Sequence, residues 1–111
     1  MNPLSDLAQK HCVPCEGGVP RLTPEAVWRL LQRVDGWELA GNKIHKRFEF
    51  RDFVAAMAFV NAMADLAEQQ GHHPDFSVHY NRVDVTIWTH AIDGLSENDF
   101  VLAAKLDEIP R

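Results

Sequence analysis

No stretch of this sequence approaches the roughly 20 consecutive apolar residues that a membrane helix requires. Its start, Met1-Asn2-Pro3-Leu4-Ser5-Asp6, lacks the basic region and apolar run of a signal peptide, so a cytoplasmic protein is expected. Basic clusters are scarce too. Eleven lysines and arginines face 16 aspartates and glutamates, for a net charge of −5. The densest basic stretch, Lys46-Arg47 with Arg51, is interrupted by Glu49 and Asp52. Such a surface repels phosphate backbones, so neither nucleic acid nor a membrane is an expected partner. Gly17-Gly18 lacks the Lys-Ser/Thr that completes a phosphate-cradling loop. Ser5, Ser77 and Ser96 stand in no nucleophile-elbow context.

Cysteine is limited to Cys12 and Cys15, a CxxC pair without a second pair. A structural zinc site needs four ligands, and His11 supplies only a third. A thioredoxin-like pair follows a strand and opens a helix. This one lies in a Pro/Gly-rich lead-in. The reading is reduced thiols in an N-terminal arm, residues 1–20, ahead of one domain over 21–111.

What is present describes an ordinary globular chain: 111 residues, 46% hydrophobic and 24% charged, enough for one core. Thr23-Pro24 predicts a helix start, with Val27, Leu30, Leu31 and Val34 at helical spacing and Gly36 at the end. Trp37-Glu38-Leu39 reads as a short strand and Ala40-Gly41-Asn42-Lys43 as a turn. Ile44, Phe48 and Phe50 then alternate with His45, Arg47 and Glu49 as a second strand. Asp52 caps a long helix to about Gln70, striped with Val54, Met57, Phe59, Val60, Met63, Leu66 and Ala67 and closed by Gly71. Phe76, Val78 and Tyr80 mark a third strand, Asn81-Arg82 a turn, and Val83, Val85 and Ile87 a fourth. Ser96-Glu97-Asn98-Asp99 resembles a capping box for a last helix to about Glu108. The order α-β-β-α-β-β-α predicts an α+β fold with two layers: a four-stranded antiparallel sheet with three helices on one face.

Six histidines are many for this length. His72 and His73 follow the long helix, and His90 ends the fourth strand. If strands three and four form a hairpin, the end of one lies beside the start of the other, and the three imidazoles converge. Imidazole exchanges protons near neutral pH, and two in different environments divide acid and base roles, as a dehydration needs. Singly, each has a plainer reading: a helix-end histidine interacts with the helix dipole, and His90 can be a turn residue. His11, His45 and His79 keep that plainer reading. A metal site built from the three histidines with Glu68 or Asp99 fits less well. Adjacent residues of an extended segment point to opposite sides, and no HxxxH is present.

Glu68, three residues, His72-His73-Pro74, five residues, Tyr80, nine residues, His90, eight residues and Asp99 form one spaced pattern. It resembles the signature of the pterin-4a-carbinolamine dehydratases. Gly36-Trp37, Lys46-Arg47-Phe48, Phe50-Arg51-Asp52-Phe53, Thr89-His90 and Gly94-Leu95-Ser96-Glu97-Asn98-Asp99 extend the resemblance over about residues 22–107. The resemblance implies a four-stranded sheet with three helices. It also implies a lyase that eliminates water from a 4a-hydroxytetrahydropterin to give quinonoid dihydropterin, recycling the pterin after aromatic amino-acid hydroxylation, with no metal or organic cofactor.

By position, His72 and His90 resemble the general acids acting on the leaving hydroxyl, and His73 a residue that mainly binds substrate. Glu68 and Asp99 are expected to orient histidines or touch the pterin. Pro74 and Thr89 are expected at the substrate, and Trp37 near the pocket. Trp88 departs from members with a small residue before Thr-His; it either narrows the pocket or meets another subunit. A homodimer or homotetramer and a link to a hydroxylase are also implied. The alternative is a non-catalytic interaction protein assisting a hydroxylase or a transcription regulator; a metal-dependent hydrolase is the weaker rival.

Overall fold

Thr23 opens the first helix, α1 (Pro24–Leu31), by accepting the Ala26 N–H on Oγ1 at 3.2 Å, and Pro24 fills the first turn, where a missing N–H costs nothing. The computed structural model describes residues 7–12 and 20–111; Met1–Asp6 and residues 13–19, with Cys15 and Gly17-Gly18, lie outside the described residues. The helix stops at Leu31, short of Gly36. Gly36 instead turns the chain into the sheet at φ +78, a conformation costly for other residues. Strands β1 (Glu38–Ala40) and β2 (Lys43–Glu49) form a hairpin around Gly41 and Asn42. Asp52 caps α2 (Phe53–Gln70) by accepting the Ala55 N–H at 2.9 Å. Strands β3 (Asp75–His79) and β4 (Arg82–Ile87) follow, then α3 (Glu97–Asp107). The β3–β4 turn lies at Tyr80-Asn81, one residue earlier than expected, with Tyr80 at φ +54.

The sheet order is β1-β2-β4-β3, antiparallel throughout. The two hairpins thus join through β2 and β4, with Ile44 opposite Ile87 and Phe48 opposite Val83. Ile44, Phe48, Val83, Val85 and Ile87 are buried on one face with Ala56, Phe59, Val60 and Met63 of α2 and Phe100 and Leu102 of α3. Burying each of the larger side chains contributes about 1.5–3 kcal/mol. This is the expected α+β architecture, a four-stranded antiparallel sheet with three helices.

Lys46 lies on the buried face, although its neighbour Arg47 is exposed. Its Nζ pairs with Asp107 Oδ1 at 2.7 Å and donates to the Asp35 carbonyl at 2.6 Å, which satisfies a charge that would otherwise be too costly to bury. Near the N-terminus, Leu7 is fully buried, Lys105 Nζ donates to the Ala8 carbonyl at 2.6 Å, and the Cys12 N–H donates to Gln70 Oε1 at 2.9 Å. Leu7–Cys12 thereby pack on α2 and α3.

On the opposite face, Asp84 of β4 meets Arg47 Nε at 3.0 Å and His45 Nε2 at 3.2 Å. Burial alone raises the Asp84 pKa. The hydrogen bonds and charges of Arg47 and His45 outweigh it, so the carboxyl titrates below its ordinary value. A carboxyl depressed in the folded state stabilises the fold above its unfolded pKa and loses that contribution as pH falls through the folded one. Urea unfolding from pH 6 down through the ordinary carboxylate range, roughly pH 4, should show Asp84→Asn losing less stability than the parent chain. Parallel curves would remove Asp84 as a source of the acid sensitivity.

Candidate acid–base site

Gly71 makes the corner that aims two histidines. It ends α2 in the left-handed region at φ +63, and the next N–H, of His72, bonds back to the Ala67 carbonyl at 3.2 Å. This is a helix-terminating arrangement in which glycine avoids the penalty that a Cβ brings at positive φ. No atom lies within 4 Å of where a Cβ would sit. Gly71→Ala therefore tests backbone strain alone and should cost about 1 kcal/mol, read as a lower urea midpoint with unchanged slope.

The β3–β4 register brings the third histidine to the same corner. Asp75 pairs with Thr86, so the residues just before β3 and just after β4 meet. A bridge between Thr89 and Gly94 closes a short 3-10 turn, His90–Ile92. Arg21 donates to the Ile92 carbonyl, and Asn42 Nδ2 donates to Asp93 O at 2.9 Å and Oδ1 at 3.1 Å, clamping the turn from outside. The outcome is a cleft of about 410 Å³ lined by Gly71, His72, His73, Trp88, Thr89, His90 and Ala91, within the size range of small-molecule sites.

Each imidazole in the cleft has a different anchor. His72, buried, bonds through Nε2 to Asp99 Oδ1 at 2.6 Å. An ionised carboxylate only accepts, so Nε2 carries the proton and the tautomer follows. Asp99 is fully buried, and its Oδ2 accepts the Thr89 hydroxyl and the Ser96 N–H, both at 2.9 Å. With the Thr89 proton committed to Asp99, Ser96 Oγ–H must be the donor in the 2.7 Å contact between the two hydroxyls. The Ser96–Asp99 bond is also the reciprocal arm of the cap on α3.

His73, in contrast, is exposed and bonds through Nε2 to Glu68 Oε2 at 2.6 Å, on the last turn of α2. The adjacent pair thus diverges onto separate carboxylates. Among the described residues, no group of three or more His, Cys, Asp or Glu side chains is placed to hold a metal ion. His90 is exposed and stacks on Trp88, with ring centroids 4.0 Å apart and planes inclined by 25°.

The structure therefore brings His72, His73, His90 and Thr89 to one cleft, with Asp99 and Glu68 behind two of the histidines. Pro74 is half-buried at the entry to β3. Trp37 was expected near the pocket and is not among the residues of this cleft. It is buried, packs edge-on against Phe48 at 6.0 Å and donates its indole N–H to Asp107 at 3.1 Å, which makes it a core residue. Trp88 is in the cleft. Ser96 is more than the α3 cap: its bond to Asp99 has a sequence signal in the Ser-x-x-Asp spacing, but its contact with Thr89 has none.

The fold thus gathers a buried histidine–carboxylate pair and two further imidazoles around one cleft on an α+β scaffold. The chain belongs to the pterin 4 alpha carbinolamine dehydratase family, whose model matches residues 20–109. A protein of Nitrosospira multiformis, named provisionally as a pterin-4-alpha-carbinolamine dehydratase, is 48% identical over 106 residues, covering 96% of this chain and 94% of that protein. The Arabidopsis thaliana protein named pterin-4-alpha-carbinolamine dehydratase 2, mitochondrial, is 46% identical over 112 residues, covering 96% of this chain and 60% of its own length. Among solved structures, a transcriptional coactivator/pterin dehydratase from Brucella melitensis superposes with a TM-score of 0.77 at 38% identity, over 79% of this chain and 96% of that one. A pterin dehydratase-like protein described as a RuBisCO assembly factor in the alpha-carboxysome matches with a TM-score of 0.54 at 26% identity, over 64% of this chain and 82% of that one.

Proposed function

We propose that the chain is a hydro-lyase that eliminates water from a 4a-hydroxytetrahydropterin in tetrahydropterin recycling. The observation that carries this reading is the placement of His72, backed by Asp99, and His90 on one cleft. In the reaction the bond between carbon 4a and the hydroxyl oxygen breaks. The hydroxyl takes a proton from an imidazolium and leaves as water, and a pterin ring N–H gives its proton to a base. The protein's proton count is then unchanged, and no electrons enter or leave. His72 and His90 supply the general acid at the leaving hydroxyl, and His73, with Glu68 and Pro74 at the rim, holds the ring. Asp99 and Thr89 act through His72, fixing its orientation and tautomer. A homodimer or homotetramer, a cytoplasmic setting and a hydroxylase that supplies the carbinolamine belong to the same proposal.

The test uses purified protein and freshly generated 4a-hydroxytetrahydropterin followed by ultraviolet absorbance. Accelerated decay is expected; decay at the rate in buffer alone would reject the reading.

A second reading, a non-catalytic interaction role, draws on the RuBisCO assembly factor among the structural relatives. It also draws on an apolar groove at α1 and β1, where Trp28 and Leu39 are exposed. Retention of the protein's cellular effect in a His72→Ala, His90→Ala double variant would favour it.

A further inference from the structure

We infer that Trp88 is a positioning residue for His90, an indole platform that holds the imidazole plane while leaving both ring nitrogens to the substrate. The inference rests on the dehydratase reading. Of the three imidazoles on the cleft, His72 is held by Asp99 and His73 by Glu68, each through a 2.6 Å hydrogen bond. Among the described residues none hydrogen-bonds the His90 imidazole; its ring contact is Trp88, at 4.0 Å and 25°. Without that contact an exposed imidazole on a short turn samples several rotamers.

The indole is itself braced. Lys43 Nζ lies 3.9 Å from the Trp88 ring centroid. The ammonium and the imidazole thus both lie against the indole. The sheet explains the arrangement. Ile44 pairs with Ile87 at the end of the β2–β4 ladder, and Lys43 and Trp88 are the next residues along those two chains; the half-buried indole also packs against the core. The ammonium is drawn to the indole face by the ring quadrupole. Arg21 and Asn42 hold the Ile92 and Asp93 carbonyls of the turn that carries His90; Trp88 holds the His90 ring. A hydrogen-bonding anchor, such as Asp99 on His72, occupies one ring nitrogen. A stacking anchor occupies neither.

The experiment compares Trp88→Phe, which keeps an aromatic face, with Trp88→Leu, which keeps apolar bulk without one. Carbinolamine turnover and the nuclear magnetic resonance signals of the His90 ring are read together, and circular dichroism checks the fold. Misplacing a reacting group by about 1 Å costs up to roughly 100-fold in rate. Trp88→Leu should lower kcat by about ten- to a hundredfold with a smaller change in KM, and Trp88→Phe should recover most of it. The upfield ring-current shift of the His90 protons should vanish in Trp88→Leu and persist in Trp88→Phe. A rise in KM at unchanged kcat in Trp88→Leu would make the indole a substrate wall and overturn the inference, as would equal losses in both variants. Absence of the ring-current shift in the unsubstituted protein would also overturn it. Failure of the unsubstituted protein to turn over carbinolamine would strike the dehydratase reading instead, and the shift would still decide the stacking.

Discussion

Replacing His72 with alanine is expected to slow carbinolamine turnover by about 10²–10⁴-fold, the range for a positioned acid–base group. His90→Ala should fall in the same range. The two act on one hydroxyl, so their double variant should be little worse than the slower single one, because groups that work as a unit are not additive. His73→Ala should differ in kind. That ring sits on the rim, paired with an exposed Glu68, so its loss should raise KM more than it lowers kcat. Steady-state kinetics on the three single variants and the double separate these outcomes. A His72→Ala enzyme with full kcat would remove His72 from the chemistry.

Asp99→Ala should be the most damaging single change to the fold and the site together. The carboxylate is fully buried and receives a histidine N–H, a hydroxyl and a backbone N–H. Its removal strands all three donors away from water and deletes one arm of the α3 cap. Buried donors cost about 1–3 kcal/mol each when orphaned, partly relieved if water enters, so a net loss on the order of 3 kcal/mol is expected. Domains of ordinary stability have only about 5–15 kcal/mol in total. Activity should fall at least as far as in His72→Ala. Asp99→Asn separates the two effects: it keeps the volume but turns an N–H toward the imidazole or toward Thr89 and Ser96. It should recover part of the urea midpoint and little of the turnover. Recovery of both would mean that the tautomer of His72 is immaterial.

Local chemistry made much of this architecture readable from sequence. Thr23-Pro24, Asp52 and Gly71 punctuate the helices because capping depends on one side chain and its nearest amides. The alternation in β2 and β4 gives the sheet faces because burial has a period of two along a strand. The meeting of His72, His73 and His90 followed from a single hairpin.

What escaped depends on partners distant in sequence. Lys46 looked like part of a basic surface, and only the arrival of Asp107 from the end of α3 makes it an interior residue. Trp37 went to the core for the same reason, since Asp107 satisfies its indole N–H. The pattern placed Asp99 in the signature without deciding between a histidine partner and a ring contact, and the fold brings it to His72. The stacking of Trp88 on His90, two positions apart across a turn, likewise has no periodicity to announce it.

Asp99 belongs to two structures at once, the start of α3 and the orientation of His72. Helix ends fray more readily than whole domains unfold. On warming, a loosened first turn of α3 would release the ring at position 72 while the sheet remained intact. Heat should therefore silence this protein before it melts it, with amide exchange at the head of that helix rising in step with the lost turnover.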